Sequence, residues 1–158
     1  MKRIYINEEV CMGCGLCEVY CRLEHSKSTD LVKAFTREKV SPRLQVHRSS
    51  PVSFSLPCRH CQEPYCVYSC LTGALHREPD GIVTVDEAKC AGCWTCILAC
   101  PYGVIRPEKE RSKIAKCDLC LGNGTPACVA HCPNEALVYA EVEANGKHNE
   151  IPEFVVSS

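Results

Sequence analysis

The chain has 158 residues, a formal net charge of −1 at pH 7 and a hydrophobic fraction of 46% that includes sixteen cysteines. Nearly balanced charge excludes a global electrostatic attraction to nucleic acid or to an anionic membrane surface. No stretch approaches the roughly 18 apolar residues of a membrane-spanning helix, and residues 1–10 hold neither an apolar signal core nor a twin arginine. We therefore expect a cytoplasmic protein with no membrane span and no nucleic-acid partner.

Short strands and short helical pieces alternate along the chain. The predicted strands are 3–7, 44–47, 52–55, 74–77, 82–85, 104–106, 113–115 and 137–143. The predicted helical pieces are 17–23, 66–71, 96–100 and 128–132. A strong turn signal, Pro79-Asp80-Gly81, separates two of the strands and favours a hairpin. The fold class predicted from this order is α+β.

The sixteen cysteines form four sets of four, and none is left over. The sets are Cys11, Cys14, Cys17 and Cys21; Cys58, Cys61, Cys66 and Cys70; Cys90, Cys93, Cys96 and Cys100; and Cys117, Cys120, Cys128 and Cys132. Sets one and three have the C-x2-C-x2-C-x3-C spacing of bacterial ferredoxins, and Pro101 completes the run in set three. Because a 4Fe–4S cluster takes four thiolates, the sequence predicts four such clusters and a fold that depends on them.

Two other interpretations of the cysteines stay open. So many cysteines in a short chain can indicate a disulfide scaffold, although cysteines two residues apart rarely pair with each other. Sets two and four could instead form four-thiolate zinc sites, in which case the protein would be a zinc-stabilised binding or scaffold module. The triple spacing of sets one and three is not a zinc-ribbon pattern, and this favours iron–sulfur clusters.

The distances between the sets bear on how they combine. In a two-cluster ferredoxin, each set gives its fourth cysteine to the other cluster. We predict an inner ferredoxin-like module, 50–107, with sets two and three, and an outer one, 1–49 plus 108–143, with sets one and four. These two interleaved modules would contain short helices and β-hairpins, and residues 144–158 would be a C-terminal tail. Tandem pairing, set one with two and set three with four, stays open as an alternative.

The motifs between the cysteines resemble those of the four-cluster electron-transfer subunits of the molybdopterin oxidoreductase superfamily, such as the beta subunits of dimethyl sulfoxide reductase, formate dehydrogenase and nitrate reductase. The resemblance extends over residues 3–139. Its most specific pieces are Cys58-Arg-His-Cys61, Glu63-Pro64-Tyr65-Cys66, Gly92-Cys93-Trp94-Thr95-Cys96 and Cys117-Asp118-Leu119-Cys120. The opening, Cys11-Met-Gly-Cys-Gly-Leu-Cys17, is most similar to the CooF-type subunits that serve carbon monoxide dehydrogenases.

The resemblance implies four ligand sets with exchanged fourth cysteines. They are Cys11, Cys14, Cys17 and Cys132; Cys117, Cys120, Cys128 and Cys21; Cys58, Cys61, Cys66 and Cys100; and Cys90, Cys93, Cys96 and Cys70. With every thiol used as a ligand, none is left as a nucleophile or at an open metal position, which indicates a non-catalytic electron carrier.

The implied partners are a catalytic oxidoreductase subunit and a second redox protein. Carbon monoxide dehydrogenase is favoured as the catalyst, with a hydrogenase or a flavin- or nicotinamide-dependent reductase at the other end. The alternative catalysts are formate dehydrogenase, hydrogenase and aldehyde oxidoreductase.

Residues beside the cysteines carry further hypotheses. A histidine can replace a cluster cysteine or donate a hydrogen bond to cluster sulfur; the candidates are His25, His60 and His131 as ligands, and the last two as donors. Neighbouring aromatic residues are expected to shield the clusters from water rather than to relay electrons. They are Tyr20, Tyr65, Trp94 and Tyr102.

Glycines and basic residues complete the predictions. Gly13, Gly15 and Gly92 lie inside cysteine loops, where the absence of a Cβ would let backbone N–H groups approach a cluster. Basic side chains after set one form either a solvated loop or a docking surface for an acidic redox partner. They are Lys27, Lys33, Arg37, Lys39, Arg43 and Arg48.

Overall fold

The computed structural model describes residues 2–141, which form short helices and short antiparallel strand pairs, as expected for an α+β fold. The strands are β1 Lys2–Ile6, β2 Gln45–Ser49, β3 Val52–Leu56, β4 Leu75–Arg77, β5 Val83–Val85, β6 Arg106–Glu108, β7 Lys113–Ala115 and β8 Leu137–Glu141. The helices are α1 Leu16–Glu24, α2 Leu31–Lys33, α3 Tyr65–Tyr68, α4 Thr95–Ala99 and α5 Ala127–Ala130, with a π-helical turn at Ala34–Glu38 and a 3-10 turn at Lys109–Arg111. The predicted tail, 144–158, lies outside the described residues.

Four two-stranded antiparallel ribbons are present in the described residues, and one of them joins the two ends of that range. Strand β1 pairs with β8, so that Lys2 lies opposite Glu141 and Ile6 lies opposite Leu137. The other ribbons, β2–β3, β4–β5 and β6–β7, each connect strands that follow one another in the chain. The predicted strands are therefore confirmed with small shifts of their ends.

The turn between β4 and β5 forms as its residues predict. The Oδ1 atom of Asp80 accepts a hydrogen bond from the backbone N–H of Ile82 at 3.1 Å. Gly81 has a φ of 86°, which glycine adopts without the steric cost that a Cβ would add. Glu78 closes the turn by donating its backbone N–H to the carbonyl of Ile82 at 2.7 Å.

The predicted helical pieces are also present, but the segment after the first cysteine set differs from the expected loop. Residues 31–38 form the short helix α2 and the π-helical turn. Asp30 caps this helix, because its Oδ1 atom accepts the backbone N–H of Lys33 at 3.1 Å. An aspartate before an apolar residue is a helix-start signal. Asp30 before Leu31 therefore indicated this helix, although the basic composition of the segment favoured a loop. None of the described helices is long and apolar enough to cross a membrane.

Cysteine side chains form part of the buried core. One cluster of buried residues contains Ile4, Leu44 and Leu137 together with cysteines of sets one, two and four. A second contains Leu75, Ile105 and other aliphatic residues together with Cys96 of set three. The strand pairs and short helices therefore surround the cysteines, and the interior of the protein is built around the thiols.

Candidate metal centres

All sixteen cysteines carry free thiols, so the chain is not a disulfide scaffold. Their exposure differs: Cys14 of set one and Cys93 of set three are exposed, whereas Cys117 and Cys128 of set four are buried. Sets one and three therefore each reach the protein surface at one cysteine, and no cysteine of set four is exposed.

The first cavity brings together thiols from the two ends of the described chain. It has a volume of about 360 Å³, open solvent included, and four cysteines contribute to its wall. They are Cys11, Cys14, Cys17 and Cys132. The remaining wall is largely apolar and includes Val46 and Leu137. Helix α1 contacts α5, and this contact carries the last cysteine of set four to the loop of set one.

The second cavity combines sets two and three. It has a volume of about 380 Å³, again with open solvent included, and also has four cysteines in its wall. They are Cys58, Cys61, Cys66 and Cys100. Burial, together with repulsion from the neighbouring Cys58 and Cys100, raises the pKa of the Cys66 thiol to about 11 although Lys116 opposes the change.

The other thiols also lie near members of another set. Burial first, and then proximity to Cys66, Cys70 and Cys90, raises the pKa of the Cys96 thiol to about 11. In the same way, burial and the nearby Cys21 raise the pKa of the Cys120 thiol to about 11. The fourth cysteine of set two thus lies near set three, and the fourth cysteine of set one lies near set four.

Backbone N–H groups point at several of the sulfur atoms. Four such contacts are Arg43 N to Cys21 Sγ at 3.3 Å, His60 N to Cys58 Sγ at 3.4 Å, Leu75 N to Cys70 Sγ at 3.5 Å and Leu119 N to Cys117 Sγ at 3.5 Å. Hydrogen bonds of this kind stabilise a thiolate relative to a thiol. Burial dominates at Cys117 and raises the pKa of its thiol, whereas at Cys70 burial is outweighed by hydrogen bonds from Leu75 and Thr72, which lower the pKa. Binding of a metal at such thiols would release their protons.

The spacing of the sulfur atoms separates two kinds of metal centre. No three cysteine sulfurs of the described residues lie within 4.8 Å of one another. A single zinc ion with tetrahedral Zn–S bonds would need its four sulfurs about 3.8 Å apart. The quartets therefore fit a larger, multi-iron cluster better than one zinc ion, and four thiols per cavity is the donor set that a 4Fe–4S cluster requires.

A polar network surrounds Cys21 and includes His25, one of the candidate ligands. The Nδ1 atom of His25 donates to the Cys21 carbonyl at 2.7 Å, and its Nε2 atom donates to Asp118 Oδ1 at 3.1 Å. Burial disfavours the charged ring, but the hydrogen bonds that the ring makes to Asp118 and Cys21 outweigh it and raise the pKa of His25 to about 10. In this arrangement both ring nitrogens are engaged with oxygen atoms, and a ligand role for His25 stays a prediction.

Asp118 is the centre of this network. Its Oδ2 atom also accepts a hydrogen bond from Arg43 Nη1 at 2.6 Å, and its Oδ1 atom accepts the backbone N–H of Cys120 at 3.0 Å. Burial alone would raise the pKa of Asp118, but His25 and Arg43 lower it below its usual range. The network thus joins the segment after set one to the loop of set four.

The other two histidines differ in what their rings can donate. The Nδ1 atom of His60 accepts the backbone N–H of Val83 at 3.0 Å, so a neutral ring carries its proton on Nε2. That Nε2 atom is buried and has no hydrogen-bond partner among the described residues, which agrees with the predicted donor role.

The ring of His131 stacks on the ring of Tyr20, with 3.6 Å between the ring centroids, and its Nδ1 atom donates a hydrogen bond to the Ala127 carbonyl. Its Nε2 atom is then an acceptor, so the neutral ring cannot be the predicted donor to sulfur.

Two of the predicted docking residues have other roles. Arg43 binds Asp118, and Arg48 donates from Nε to the carbonyl of Gly13 at 2.6 Å inside the first cysteine loop. Lys27, Lys33 and Arg37 are exposed, so a docking surface there stays a prediction.

The aromatic residues beside the cysteines are less enclosed than expected, because the exposed fractions of Tyr65 and Trp94 are 60% and 41%.

Two glycines of the cysteine loops have a left-handed backbone and lie against neighbouring protein atoms. Gly13 and Gly92 have φ values of 66° and 67°. A Cβ on Gly92 would lie 2.2 Å from the Ser112 carbonyl oxygen, and a Cβ on Gly13 would lie 3.0 Å from the Ser53 side chain. Neighbouring protein atoms, as well as the left-handed backbone, therefore require glycine there.

Comparisons with known proteins agree with this chemistry. Residues 50–142 match the model of a family described as a 4Fe-4S dicluster domain. The electron transport protein HydN of Escherichia coli K12 is 36% identical over an alignment of 144 positions that covers 81% of each chain. An iron-sulfur protein of Rhodospirillum rubrum is 32% identical over an alignment of 163 positions that covers 89% of this chain and 83% of the relative. The thiosulfate reductase electron transfer subunit PhsB of Salmonella typhi is 34% identical over 146 residues, 87% of this chain and 74% of the relative.

Proposed function

This chain belongs to the family of 4Fe-4S dicluster iron–sulfur proteins, and we propose that it is an electron-transfer subunit with four 4Fe–4S clusters. The observation that carries the proposal is the grouping of four free thiols from two different sets in each of two cavities. Three relatives are named as electron transport or electron transfer proteins, which supports a non-catalytic carrier.

The ligand sets are the second part of the proposal. The cavities support two of them, and the proximity of Cys70 to Cys96 and of Cys21 to Cys120 supports the other two. The sets are Cys11, Cys14, Cys17 and Cys132; Cys117, Cys120, Cys128 and Cys21; Cys58, Cys61, Cys66 and Cys100; and Cys90, Cys93, Cys96 and Cys70. Tandem pairing would instead need Cys21 beside set two and Cys100 beside set four.

The interleaved modules have support from the contacts between elements. The pairing of β1 with β8 and the contact of α1 with α5 connect the two segments of the outer module. The contact of α3 with α4 connects sets two and three of the inner module. The proposed boundaries, 49/50 and 107/108, fall within the β2–β3 and β6–β7 hairpins, so each hairpin would belong to both modules.

The thiols also support an order of the four sites. Cys128 lies near Cys17, Cys117 lies near Cys58, and Cys66 lies near Cys96. This gives a series that begins at exposed Cys14 and ends at exposed Cys93. When bound, each cluster supplies a one-electron couple within a known range of about −700 to +450 mV. The chain holds the thiolates, orients N–H groups at sulfur and excludes water from the two middle sites.

The partner is the third part of the proposal. A catalytic oxidoreductase subunit is expected, because relatives are electron-transfer subunits of such enzymes by name. Carbon monoxide dehydrogenase is our candidate from the resemblance of the opening motif, and the chain would work beside it in the cytoplasm. Formate dehydrogenase, hydrogenase and aldehyde oxidoreductase are alternatives of equal standing.

The test of the cluster proposal is the content of iron, acid-labile sulfide and zinc in anaerobically purified protein. We expect about 16 iron and about 16 sulfide per chain, with broad visible absorption that bleaches on addition of dithionite. About four zinc with little iron and no bleaching would contradict electron transfer and support a zinc-stabilised module.

The partner is tested by enzymatic reduction of the same preparation. We expect carbon monoxide with catalytic amounts of its dehydrogenase to bleach the visible absorption. Bleaching by formate with formate dehydrogenase, and none with carbon monoxide, would overturn the partner while leaving the four clusters in place.

A further inference from the structure

Lys116 is a buried lysine between two of the proposed ligand sets. Its side chain is only 2% exposed, and it is among the largest fully buried side chains of the described residues. The Nζ atom donates to the carbonyl of Val83 at 2.6 Å and to the carbonyl of Cys117 at 2.9 Å. Two neutral carbonyls hold this ammonium in place, but they do not neutralise its charge.

No carboxylate of the described residues pairs with this ammonium. The ion pairs within residues 2–141 involve other residues, and the hydrogen bonds of Lys116 are those to the two carbonyls. A buried charge without a counter-ion is strongly unfavourable, and buried lysines are almost always paired. The protein atoms therefore leave one positive charge uncompensated in the interior.

The position of Lys116 identifies what can compensate it. Lys116 forms part of the wall of the cavity that holds Cys58, Cys61, Cys66 and Cys100, and it directly precedes Cys117. Its Nζ atom lies 2.9 Å from the carbonyl oxygen of Cys117, and its side chain lines the same cavity as Cys66. The ammonium thus lies beside thiols of two different ligand sets.

We propose that Lys116 is the shared counter-charge of two neighbouring clusters, and that its ammonium raises the reduction potentials of both. The clusters are those of Cys58, Cys61, Cys66 and Cys100, and of Cys117, Cys120, Cys128 and Cys21. The inference rests on the proposed four-cluster function. Each cluster with four thiolates is anionic and gains a further negative charge on reduction, so a fixed cation beside it favours the reduced state. Lys116 is thus a positioning and tuning residue at the junction of the two modules.

Val83 links this lysine to a second buried group. Its carbonyl accepts from Lys116 Nζ, and its N–H donates to His60 Nδ1. One residue of β5 therefore fixes both the ammonium and the ring whose Nε2 atom is unpaired among the described residues. The backbone of Val83 thus holds the ammonium of Lys116 in one position. A group that tunes a cluster potential has to be held in this way.

The experiment is a potentiometric titration, monitored by electron paramagnetic resonance, of Lys116→Met and wild-type protein with full iron content. Methionine keeps most of the length of the side chain but removes the charge. We expect two potentials to become more negative and the other two to stay within error of the wild type. Lys116→Gln keeps hydrogen-bond donors but has no charge, and we expect it to lower the same two potentials.

Lys89→Met is the matched control. Lys89 precedes Cys90 just as Lys116 precedes Cys117, but its side chain is 65% exposed and pairs with Asp86 at 3.3 Å. Because solvent and Asp86 already screen this charge, we expect its removal to leave all four potentials unchanged. Potentials of Lys116→Met or Lys116→Gln that equal those of the wild type would overturn the proposal.

Iron content separates the remaining outcomes. If both neutral variants lose iron, the iron content of Lys116→Arg decides between charge and packing. Iron retained by Lys116→Arg supports the proposal that the clusters need a positive charge at this position. Iron lost from Lys116→Arg means that Lys116 acts through packing alone and overturns the proposal. A wild-type protein without four clusters would instead overturn the proposed function itself, and this is known before any variant is titrated.

Discussion

Two loops of this protein have the same cysteine spacing and different surroundings. The loop of set one, 11–17, lies against the β2–β3 hairpin: Arg48 donates to the carbonyl of Gly13, and Ser53 Oγ donates to the carbonyl of Cys11 at 2.7 Å. The loop of set three, 90–96, lies against the turn before β7, where Lys113 Nζ donates to the carbonyl of Cys90 at 2.5 Å. Side chains donate hydrogen bonds to both loops, but only in the second does a neighbouring backbone, at Ser112, also lie directly against the loop glycine.

The helices after the two loops differ as well. Helix α1 contains Cys17 and Cys21 of set one and has nine residues, whereas helix α4 contains Cys96 of set three and has five. The longer helix is joined through Cys21 to the buried network of His25, Arg43 and Asp118. The same cysteine spacing is thus supported by a buried ion-pair network in one place and by contacts with residues 112 and 113 in the other.

Removal of iron should have the largest effect, because it removes the feature that the two loops share. Helices of nine and five residues are shorter than the roughly 12–15 residues that a helix needs to be stable alone, and isolated two-stranded ribbons are marginal. We expect chelation of iron under reducing anaerobic conditions to abolish most helical and strand circular dichroism. Hydrogen exchange in the same sample should show loss of protection in both loops. An iron-free chain that keeps protected amides in one loop would mean that this loop folds without its cluster.

Alanine substitution of the equivalent glycines should separate the two loops most clearly. The left-handed backbone costs alanine about 1–2 kcal/mol at either position. Gly92→Ala also brings a Cβ to 2.2 Å from a backbone oxygen, whereas Gly13→Ala meets Cβ and Oγ of Ser53 at 3.0 Å, a tight contact that a small shift of the serine relieves. We expect losses of more than ~3 kcal/mol for Gly92→Ala and about 1–2 kcal/mol for Gly13→Ala, measured by anaerobic urea unfolding at equal iron content. Equal losses would indicate that the surroundings of the loops do not matter.

The sequence predicted the repeated features of these loops but not the features that distinguish them. Cysteine spacing predicted the loops, and the turn chemistry of Asp80 and Gly81 predicted a hairpin. No local pattern indicated that Gly92 lies beside Ser112, because twenty residues separate them and the contact depends on how β7 approaches. The pairing of β1 with β8 likewise joins distant segments, and only the expected combination of sets one and four pointed to it.

The buried charges are a second group that sequence patterns did not identify. Asp118 lies inside the motif Cys117-Asp118-Leu119-Cys120, where nothing local predicts that His25 and Arg43 bind it. Lysine is a residue type that is usually found at the surface, and the burial of Lys116 depends on hydrogen bonds to the carbonyls of Val83 and Cys117. Long side chains of either sign are expected at the surface, so their burial appears only in the three-dimensional structure.

Asp118→Asn should weaken the region after set one and leave the region of set three unchanged. The variant leaves His25 and Arg43 without their shared carboxylate, at sites where their side chains are 10% and 16% exposed. Loss of one partner from a largely buried ion pair is strongly unfavourable, and we expect a loss of about 2 kcal/mol in anaerobic urea unfolding. Local hydrogen exchange should increase around α1 and the 117–120 loop. An equal increase around β6–β7 would mean that the network stabilises the whole protein and not one region.

Glu87→Gln, beside set three, should have the smallest effect and is the matched control for Asp118→Asn. Glu87 also pairs with an arginine, Arg111, but the two side chains are 41% and 56% exposed. Exposed ion pairs contribute about 0–1 kcal/mol, because water screens the attraction and ordering the side chains costs entropy. Arg111 also keeps a second partner in Glu108 at 3.3 Å, so the variant leaves no charge unpaired. We expect a change below ~0.5 kcal/mol in the same unfolding assay. A loss as large as that of Asp118→Asn would show that burial does not distinguish the two ion pairs, and that set three depends on polar contacts as much as set one.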